Sequence, residues 1–134
     1  MIPKTIFQTW KTQNLPKKVS RLHDKMLKLN PDYQHIIYTD SQMDDYMHSN
    51  TDGDLKKVYF KLNNIVAKAD LWRYCIIYKY GGIYADTDTV LKVDPLFLTN
   101  HNNKELVVVP EDDVHFCQWF FAAPANSPIL KSII

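Results

Sequence analysis

The fold of this chain is constrained most by one segment, residues 64–85. A long helical pattern there ends in two glycines, and a short strand follows at once. Apolar side chains recur at helical spacing over about residues 64–80, which predicts a helix with one apolar stripe. Gly81-Gly82 predicts the end of this helix, because glycine accepts the left-handed backbone conformation found at helix C-termini. The triplet IYA at 83–85 then predicts a buried strand that runs into Asp86-Thr87-Asp88. The stripe consists of Ile65, Ala69, Trp72, Cys75 or Ile76, and Tyr80.

The other periodic segments alternate between strands and helices. Strands are predicted at 4–10, 33–40, 105–110 and 117–123, helices at about 19–29, 41–47 and 54–62, and a turn at 48–54. Ser41 is the expected cap of the second helix, and Ser127 is that of a last helix, within which the chain stops. We therefore expect the natural protein to continue further. The order predicts an α/β fold with a mainly parallel mixed sheet flanked by helices, in one domain over residues 1–134.

Composition excludes several classes of protein. The chain has 134 residues, 46% of them hydrophobic, and a net charge of +1, so no strong field favours nucleic acid or a membrane surface as a partner. The sequence contains no apolar run of the roughly 18 residues that a membrane span needs. Cys75 and Cys117 lie in apolar segments, which predicts two buried free thiols.

The pair Asp86 and Asp88 is the first candidate for chemistry. In open α/β sheets, ligands bind beyond the carboxyl ends of strands, and these two residues follow a strand directly. If the segment is extended, both carboxylates point to the same side. Two hard oxygen ligands suit Mg²⁺ or Mn²⁺, especially when phosphates complete the shell. A solvated turn is the simpler interpretation, since a motif this short is often found by chance.

Asp70 and Arg73 lie three residues apart on the predicted helix and therefore share a face. One interpretation is a local ion pair. The other is a clamp on a sugar, because a carboxylate accepts hydrogen bonds from hydroxyls and a guanidinium donates to oxygens.

The segment AKADLWRYCIIYKYGGIYADTD at 67–88 resembles the DXD-containing sugar-binding signature of glycosyltransferase family 32. That family includes initiating α-1,6-mannosyltransferases and capsular polysaccharide transferases, and clostridial glucosylating toxins carry a related motif. The opening IPKTIFQTW also resembles the first strand of this family. The resemblance implies a GT-A-type fold and a metal-dependent, retaining transfer of a hexose from a GDP- or UDP-sugar donor to a glycan or glycoprotein. It also implies a cytoplasmic enzyme of bacterial or viral type, or a Golgi-lumenal one if a membrane anchor was removed.

The same resemblance implies roles for individual residues. Asp88 is the expected direct ligand of Mn²⁺ or Mg²⁺ on the donor diphosphate, and Asp86 acts beside it, so that both count as catalytic. Asp70 and Arg73 hold hydroxyls of the donor sugar. No residue is identified as a nucleophile.

Two aromatic residues complete the expected donor site. Tyr84 lines the donor pocket by resemblance, although a buried core tyrosine explains it equally well. Trp10, at the end of the first strand, stacks on the nucleotide base by resemblance, with core packing as the alternative.

The chain departs from the family near its end. Gln118 stands where the family usually has Asn, and Ser127 where it has His, which puts any contact transferred from there in doubt. His115, close to three acidic residues at 111–113, could meet an acceptor or a metal but is more typical of a polar loop. Trp119 could stack on an acceptor sugar but is more typical of a core residue.

Two other functions fit parts of the pattern. A strand followed by Asp-x-Asp also resembles the first motif of haloacid-dehalogenase-type phosphatases, with Asp86 as nucleophile, Asp88 as acid and base, and Asp112-Asp113 as metal ligands. That family normally opens with this strand, whereas 85 residues precede Asp86 here. A domain that binds nucleotide sugars or glycans without catalysis is the other alternative.

Overall fold

A computed structural model of the chain describes residues 1–92 and 106–134, so residue 105 of one predicted strand lies outside the described part. The strands and helices follow the predicted order. The strands are β1 (Thr5–Thr9), β2 (Gln34–Tyr38), β3 (Gly82–Ala85), β4 (Val107–Pro110) and β5 (Phe116–Ala123). The helices are α1 (Lys17–Leu29), α2 (Asp40–Asn50), α3 (Gly53–Lys61), α4 (Ile65–Tyr80) and α5 (Pro128–Ile133).

The five strands form one sheet in the order β2-β1-β3-β5-β4. Strand β1 pairs in parallel with β2 and β3, whereas β5 is antiparallel to both β3 and β4. Four of these strands therefore run in one direction, and β5 runs against them. This arrangement confirms the predicted mainly parallel mixed sheet.

Helices cover both faces of the sheet, as the α/β pattern predicted. One core cluster contains Met26 of α1 together with Ile6 and Ile83 of the sheet. The other cluster contains Met43 of α2 and Trp72 of α4, with further residues of α3 and α5. The central strand β3 is buried along its whole length because it lies between these two clusters.

The predicted boundary between α2 and α3 was wrong by several residues. Thr39, rather than Ser41, caps α2, since its hydroxyl accepts from Gln42 N–H at 3.2 Å while the Gln42 side chain accepts from Thr39 N–H at 2.9 Å. This reciprocal capping box places the cap of the helix two residues earlier than predicted. Helix α2 then continues through Asn50 and α3 begins at Gly53, so all of the predicted turn except residues 51 and 52 is helical.

Helix α4 has the predicted length but not the whole predicted stripe. Trp72, Cys75 and Ile76 are buried, whereas Ile65 in the first turn and Tyr80 in the last turn are exposed. The predicted stripe is therefore buried only along the middle of the helix. Cys75 and Cys117 are both buried and free, as predicted.

The two glycines after α4 are required by the close approach of neighbouring backbone. Gly81 and Gly82 have φ of 67° and 115°, which disfavours any residue with a side chain. A Cβ atom on Gly82 would lie 2.6 Å from the Thr5 carbonyl oxygen, and one on Gly81 would lie 2.6 Å from the Ala125 backbone nitrogen. These glycines therefore allow β3 to enter the sheet directly after the helix, which sets the position of the following aspartates.

The last helix begins where the sequence predicts it. Ser127 caps α5 by accepting a hydrogen bond from Leu130 N–H, and Pro128 is its first residue, as predicted. None of the helices in residues 1–92 and 106–134 is long and apolar enough to cross a membrane.

Candidate functional site

The predicted aspartate pair lies in a turn at the end of β3. The Thr89 N–H donates to the Asp86 carbonyl at 2.9 Å, so residues 86–89 form a tight turn. The segment is therefore not extended, and the condition under which both carboxylates would point to the same side is not met. The Asp86 N–H donates to the Trp119 carbonyl at 2.9 Å, which continues the pairing of β3 with β5 by one residue beyond the strand.

Asp86 is held by its neighbours through both its backbone and its side chain. The Tyr84 hydroxyl donates to Asp86 Oδ1 at 2.5 Å, and Arg73 Nη2 lies 3.9 Å from the same oxygen. The buried Gln8 side chain donates from Nε2 to the Asp86 carbonyl at 3.2 Å, and its Oε1 lies 3.2 Å from His23 Nδ1. Sequence reasoning missed Gln8, because a single polar residue within an apolar strand gives no periodic signal.

Arg73 is the most constrained charged residue of the site. Its side chain is only 8% exposed, and its Nη2 pairs with Asp70 Oδ1 at 2.6 Å. Its Nη1 donates to the Gln118 carbonyl at 2.9 Å, and the guanidinium lies 4.6 Å from the centre of the Tyr84 ring. The predicted pair on one helix face therefore forms, and the guanidinium is fixed in orientation before any ligand binds.

Burial raises the pKa of Asp86 above its ordinary value, although the hydrogen bond from Tyr84 and the charge of Arg73 oppose this effect. The negative charges of Asp88 and Asp70 raise the pKa of Asp86 further. Burial also raises the pKa of Tyr84, so its hydroxyl stays protonated and can donate. The site therefore holds three carboxylates and one guanidinium, which lies 2.6 Å from Asp70 and 3.9 Å from Asp86, and this excess of negative charge favours an additional cation.

Two depressions meet at Asp86 and Trp119. The first, of about 450 Å³, is lined by Asp86, Asp88, Thr89, Val90 and Trp119. The second has a similar volume of about 450 Å³ and is lined by Val66, Asp70, Arg73, Asp86, Glu111, His115, Phe116, Gln118 and Trp119. We call the first the aspartate pocket and the second the arginine cleft. All four predicted polar site residues line one or the other.

The aspartate pocket contains side chains of the type that binds a hard divalent cation. Asp86 and Asp88 offer carboxylate oxygens, which Mg²⁺ and Mn²⁺ prefer. Among residues 1–92 and 106–134, no group of three or more His, Cys, Asp or Glu could hold a metal. Two protein carboxylates fit an ion that takes its remaining ligands from water or a bound diphosphate.

The two predicted aromatic residues lie outside both depressions. Tyr84 is buried and reaches the site only through its hydroxyl and its contact with Arg73. Trp10 is half-buried beyond the end of β1, where its backbone N–H donates to the Tyr38 carbonyl at 3.0 Å. Their roles toward a donor remain predictions.

The prediction that Trp119 is a core residue was wrong, because its side chain is 42% exposed and borders both depressions. The pairing of β4 with β5 shifts register between Val108 and Pro110, and such bulges turn side chains toward a different face. A regular period of two could not have revealed this. Glu111 and His115 also line the arginine cleft, which the sequence did not establish.

Comparison with known proteins agrees with this geometry. Residues 16–115 match the family described as a glycosyltransferase sugar-binding region containing a DXD motif. An initiation-specific alpha-1,6-mannosyltransferase of Candida albicans is 30% identical over 98% of this chain and 41% of its own length. Inositol phosphoceramide mannosyltransferase 3 of Schizosaccharomyces pombe is 38% identical over 71% of this chain and 27% of its own length. The chain thus spans less than half of these two curated relatives.

A solved structure supports the fold. The PaToxG glycosyltransferase superposes with a TM-score of 0.76 at 20% identity, over 97% of this chain and 58% of that chain. This likeness confirms the predicted GT-A-type fold, and the family match confirms the resemblance identified at residues 67–88. The chain belongs to the family of glycosyltransferase sugar-binding regions that contain a DXD motif.

Proposed function

We propose that this chain forms the donor site of a metal-dependent, retaining hexosyltransferase that transfers mannose from a nucleotide sugar to a glycan or glycoprotein. The observation that carries the proposal is the junction of the aspartate pocket and the arginine cleft at Asp86. A diphosphate needs a cation, which the carboxylates of the aspartate pocket can hold. A sugar needs groups that donate and accept hydrogen bonds, which Arg73 and Asp70 of the arginine cleft provide. The two depressions therefore suit the two halves of one nucleotide sugar. The printed names of the fungal relatives favour mannose.

In this proposal the aspartate pocket takes the diphosphate. Asp88 would hold the Mn²⁺ or Mg²⁺ ion directly, and Asp86 would act beside it toward the ion or the ribose. A bound divalent cation supplies charge neutralisation for the leaving diphosphate. The Tyr84 hydroxyl and the Gln8 amide keep Asp86 in place through hydrogen bonds at 2.5 and 3.2 Å. Their role is positioning.

The arginine cleft takes the sugar in the same proposal. Asp70 is 44% exposed, so its carboxylate can accept hydrogen bonds from sugar hydroxyls while it pairs with Arg73. Arg73 also donates to the Gln118 carbonyl, which prevents the guanidinium from turning away. Trp10 is assigned to the nucleotide base, since a half-buried indole beyond a strand end can offer a flat face for stacking.

The proposed reaction exchanges one bond at the anomeric carbon for another. The bond from this carbon to the diphosphate oxygen breaks with its electron pair on the diphosphate. A bond to the acceptor hydroxyl oxygen forms on the same face, and the hydroxyl proton passes to the leaving phosphate. The transition state resembles an oxocarbenium ion, as in glycoside hydrolysis. In this proposal the carboxylates of Asp70 and Asp86, which line the arginine cleft, would offset part of this positive charge.

Donor binding and donor hydrolysis test the proposal. We expect GDP-mannose with Mn²⁺ to raise the melting temperature by mass action, and UDP-glucose, UDP-galactose and UDP-N-acetylglucosamine to do so less. Slow release of mannose from GDP-mannose should require Mn²⁺ and be lost in Asp88→Asn. Asp24→Asn, an exposed substitution on α1, is the matched control and should leave both signals unchanged.

The alternatives give different results in the same experiment. Release of phosphate from p-nitrophenyl phosphate, lost in Asp86→Asn, would support the phosphatase and refute the transferase. Binding of a donor without any hydrolysis or transfer would support the non-catalytic domain. The compartment stays a prediction, either cytoplasm or Golgi lumen.

A further inference from the structure

We propose that the outer rim of the arginine cleft, formed by Phe116, Trp119, Glu111 and His115, binds the acceptor through a polyhydroxylated six-membered ring. The inference rests on the proposed function, because an acceptor site has meaning only beside a donor site. It assigns the rim to the second substrate and identifies the residues that select it.

The rim combines exposed apolar side chains with a polar floor. Phe116 is 64% exposed, Trp119 42% and Val66 62%, although the chain buries other large apolar residues such as Trp72 completely. All three of these exposed apolar residues line the cleft that contains Asp70 and Arg73. An occupant that suits this cleft must therefore have both apolar faces and polar edges.

A local irregularity brings the two aromatic residues into one cleft. Phe116 and Trp119 are three apart, so a regular strand would place them on opposite faces. Val108 pairs with Phe121 whereas Pro110 pairs with Phe116, which shifts the register between β4 and β5. As a result both rings line the arginine cleft, and only Trp119 also borders the aspartate pocket.

The polar part of the rim is fixed by its own hairpin. Asp112 accepts from the backbone N–H groups of Val114 and His115 at 2.9 and 2.7 Å, and its carboxylate lies 2.8 Å from His115 Nδ1. The Glu111 N–H donates to the His115 carbonyl at 2.9 Å. This hairpin holds Glu111 and His115 on the cleft wall, where a carboxylate and an imidazole can hydrogen-bond to hydroxyls.

The position of the rim favours the acceptor over the donor. Asp70, Arg73 and Asp86 form the inner wall, where the donor sugar is proposed to lie. Phe116 lines the cleft but not the aspartate pocket, so it is separated from the proposed diphosphate site. A ring stacked on this rim would present a hydroxyl toward the sugar held at the inner wall.

A pyranose and an inositol share the chemistry that this rim can recognise. Each has a face of C–H groups, which suits the electron-rich face of an aromatic ring, and an edge of hydroxyl groups. The cleft volume of about 450 Å³ is within the range of small-molecule sites. The experiment distinguishes the two ring types by using methyl α-D-mannopyranoside and myo-inositol 1-phosphate as separate probes.

The test compares transfer with hydrolysis for each variant. We expect Phe116→Ala and Trp119→Ala to lower the ratio of transfer to hydrolysis about tenfold with one of the two probes, through a higher acceptor KM. Phe60→Ala on α3, at an exposed fraction of 42% equal to that of Trp119, is the matched control and should keep the ratio. Saturation-transfer NMR without donor or metal should show the probe signal weakened by the same two substitutions.

The possible results separate two failures. An unchanged ratio in both rim variants, while the unmodified chain hydrolyses GDP-mannose, overturns this inference and leaves the proposed function in place. Equal losses of hydrolysis and transfer assign the rim to the donor and also overturn it. Absence of any donor hydrolysis by the unmodified chain refutes the proposed function, and this inference falls with it.

Discussion

The substitution Arg73→Met tests whether the buried guanidinium stabilises the fold or only serves a ligand. Methionine retains part of the aliphatic packing but makes none of the contacts of the guanidinium with Gln118, Tyr84, Asp70 and Asp86. The charged hydrogen bond to the Gln118 carbonyl at 2.9 Å is worth about 1.5–3 kcal/mol. The contact with the Tyr84 ring at 4.6 Å adds about 0.5–2 kcal/mol. The pair with the half-exposed Asp70 adds less than about 1 kcal/mol.

These contributions are not additive, so we expect Arg73→Met to lower the free energy of unfolding by about 2–4 kcal/mol. For 134 residues, an unfolding entropy of about 2.1 cal/mol/K per residue gives about 0.28 kcal/mol/K in total. The melting temperature should therefore fall by about 7–14 °C. Thermal unfolding followed by circular dichroism, with urea unfolding as a second measurement, gives both quantities.

Two further variants separate the contacts. Asp70→Asn removes only the half-exposed ion pair and should lower the melting temperature by less than about 4 °C. Arg73→Lys keeps the charge but lacks the planar group that donates to Gln118 and Asp70 at once. Its melting temperature should therefore lie between those of Arg73→Met and Asp70→Asn.

Arg73→Met could also raise the free energy of unfolding, so the measurement distinguishes two physical outcomes. Removing a charge from water is costly, and the Nε of Arg73 is buried without a partner among the described residues. If this desolvation outweighed the contacts, Arg73→Met would melt at or above the temperature of the unmodified chain. That outcome would refute the reasoning and leave Arg73 a residue kept for ligand binding alone.

Three other predictions follow from the same structure. Gly82→Ala should lower the free energy of unfolding, measured in urea, by about 3 kcal/mol, and Gly53→Ala should lower it by about 1 kcal/mol. Both glycines have positive φ, but only a Cβ atom on Gly82 would lie 2.6 Å from a backbone oxygen. Burial raises the pKa of Asp86 in the folded chain above its value in the unfolded chain. The free energy of unfolding therefore falls as pH rises from the ordinary carboxyl range through the raised pKa. Asp86→Asn should therefore raise the melting temperature at about pH 7 but not at about pH 3, in metal-free buffer. The Cys75 thiol, whose pKa burial raises to about 12, should react with Ellman's reagent only on unfolding.

Much of the fold was predictable because its signals are local. The pattern from 64 to 85 contains a helix period, a pair of glycines and a short apolar strand, and each has a single physical interpretation. The same locality explains the error at α2, where Thr39 and Ser41 are both good caps. Only Thr39 has a glutamine three residues later to complete the capping box.

The candidate site was predictable only in part, because half of it depends on contacts between distant segments. Asp70 and Arg73 share a helix face by spacing alone, so their pair followed from the sequence. Gln8 reaches Asp86 across 78 residues of chain, and no local pattern indicates such a hydrogen bond. Trp119 faces the cleft because of a register shift, which periodicity cannot reveal.

The position of Asp86 explains why these distant residues are needed. Burial first, and the charges of Asp88 and Asp70 in addition, raise the pKa of the Asp86 carboxyl, so the folded chain without a cation gains little from ionising it. A carboxylate under such repulsion would turn toward solvent unless it were held. The Tyr84 hydroxyl holds its side chain, while the Gln8 amide and the pairing with Trp119 hold its backbone. Since Arg73 in turn packs against Tyr84, substitutions of Gln8, Tyr84 or Arg73 should weaken cation binding at Asp86 although none of these three side chains binds the cation.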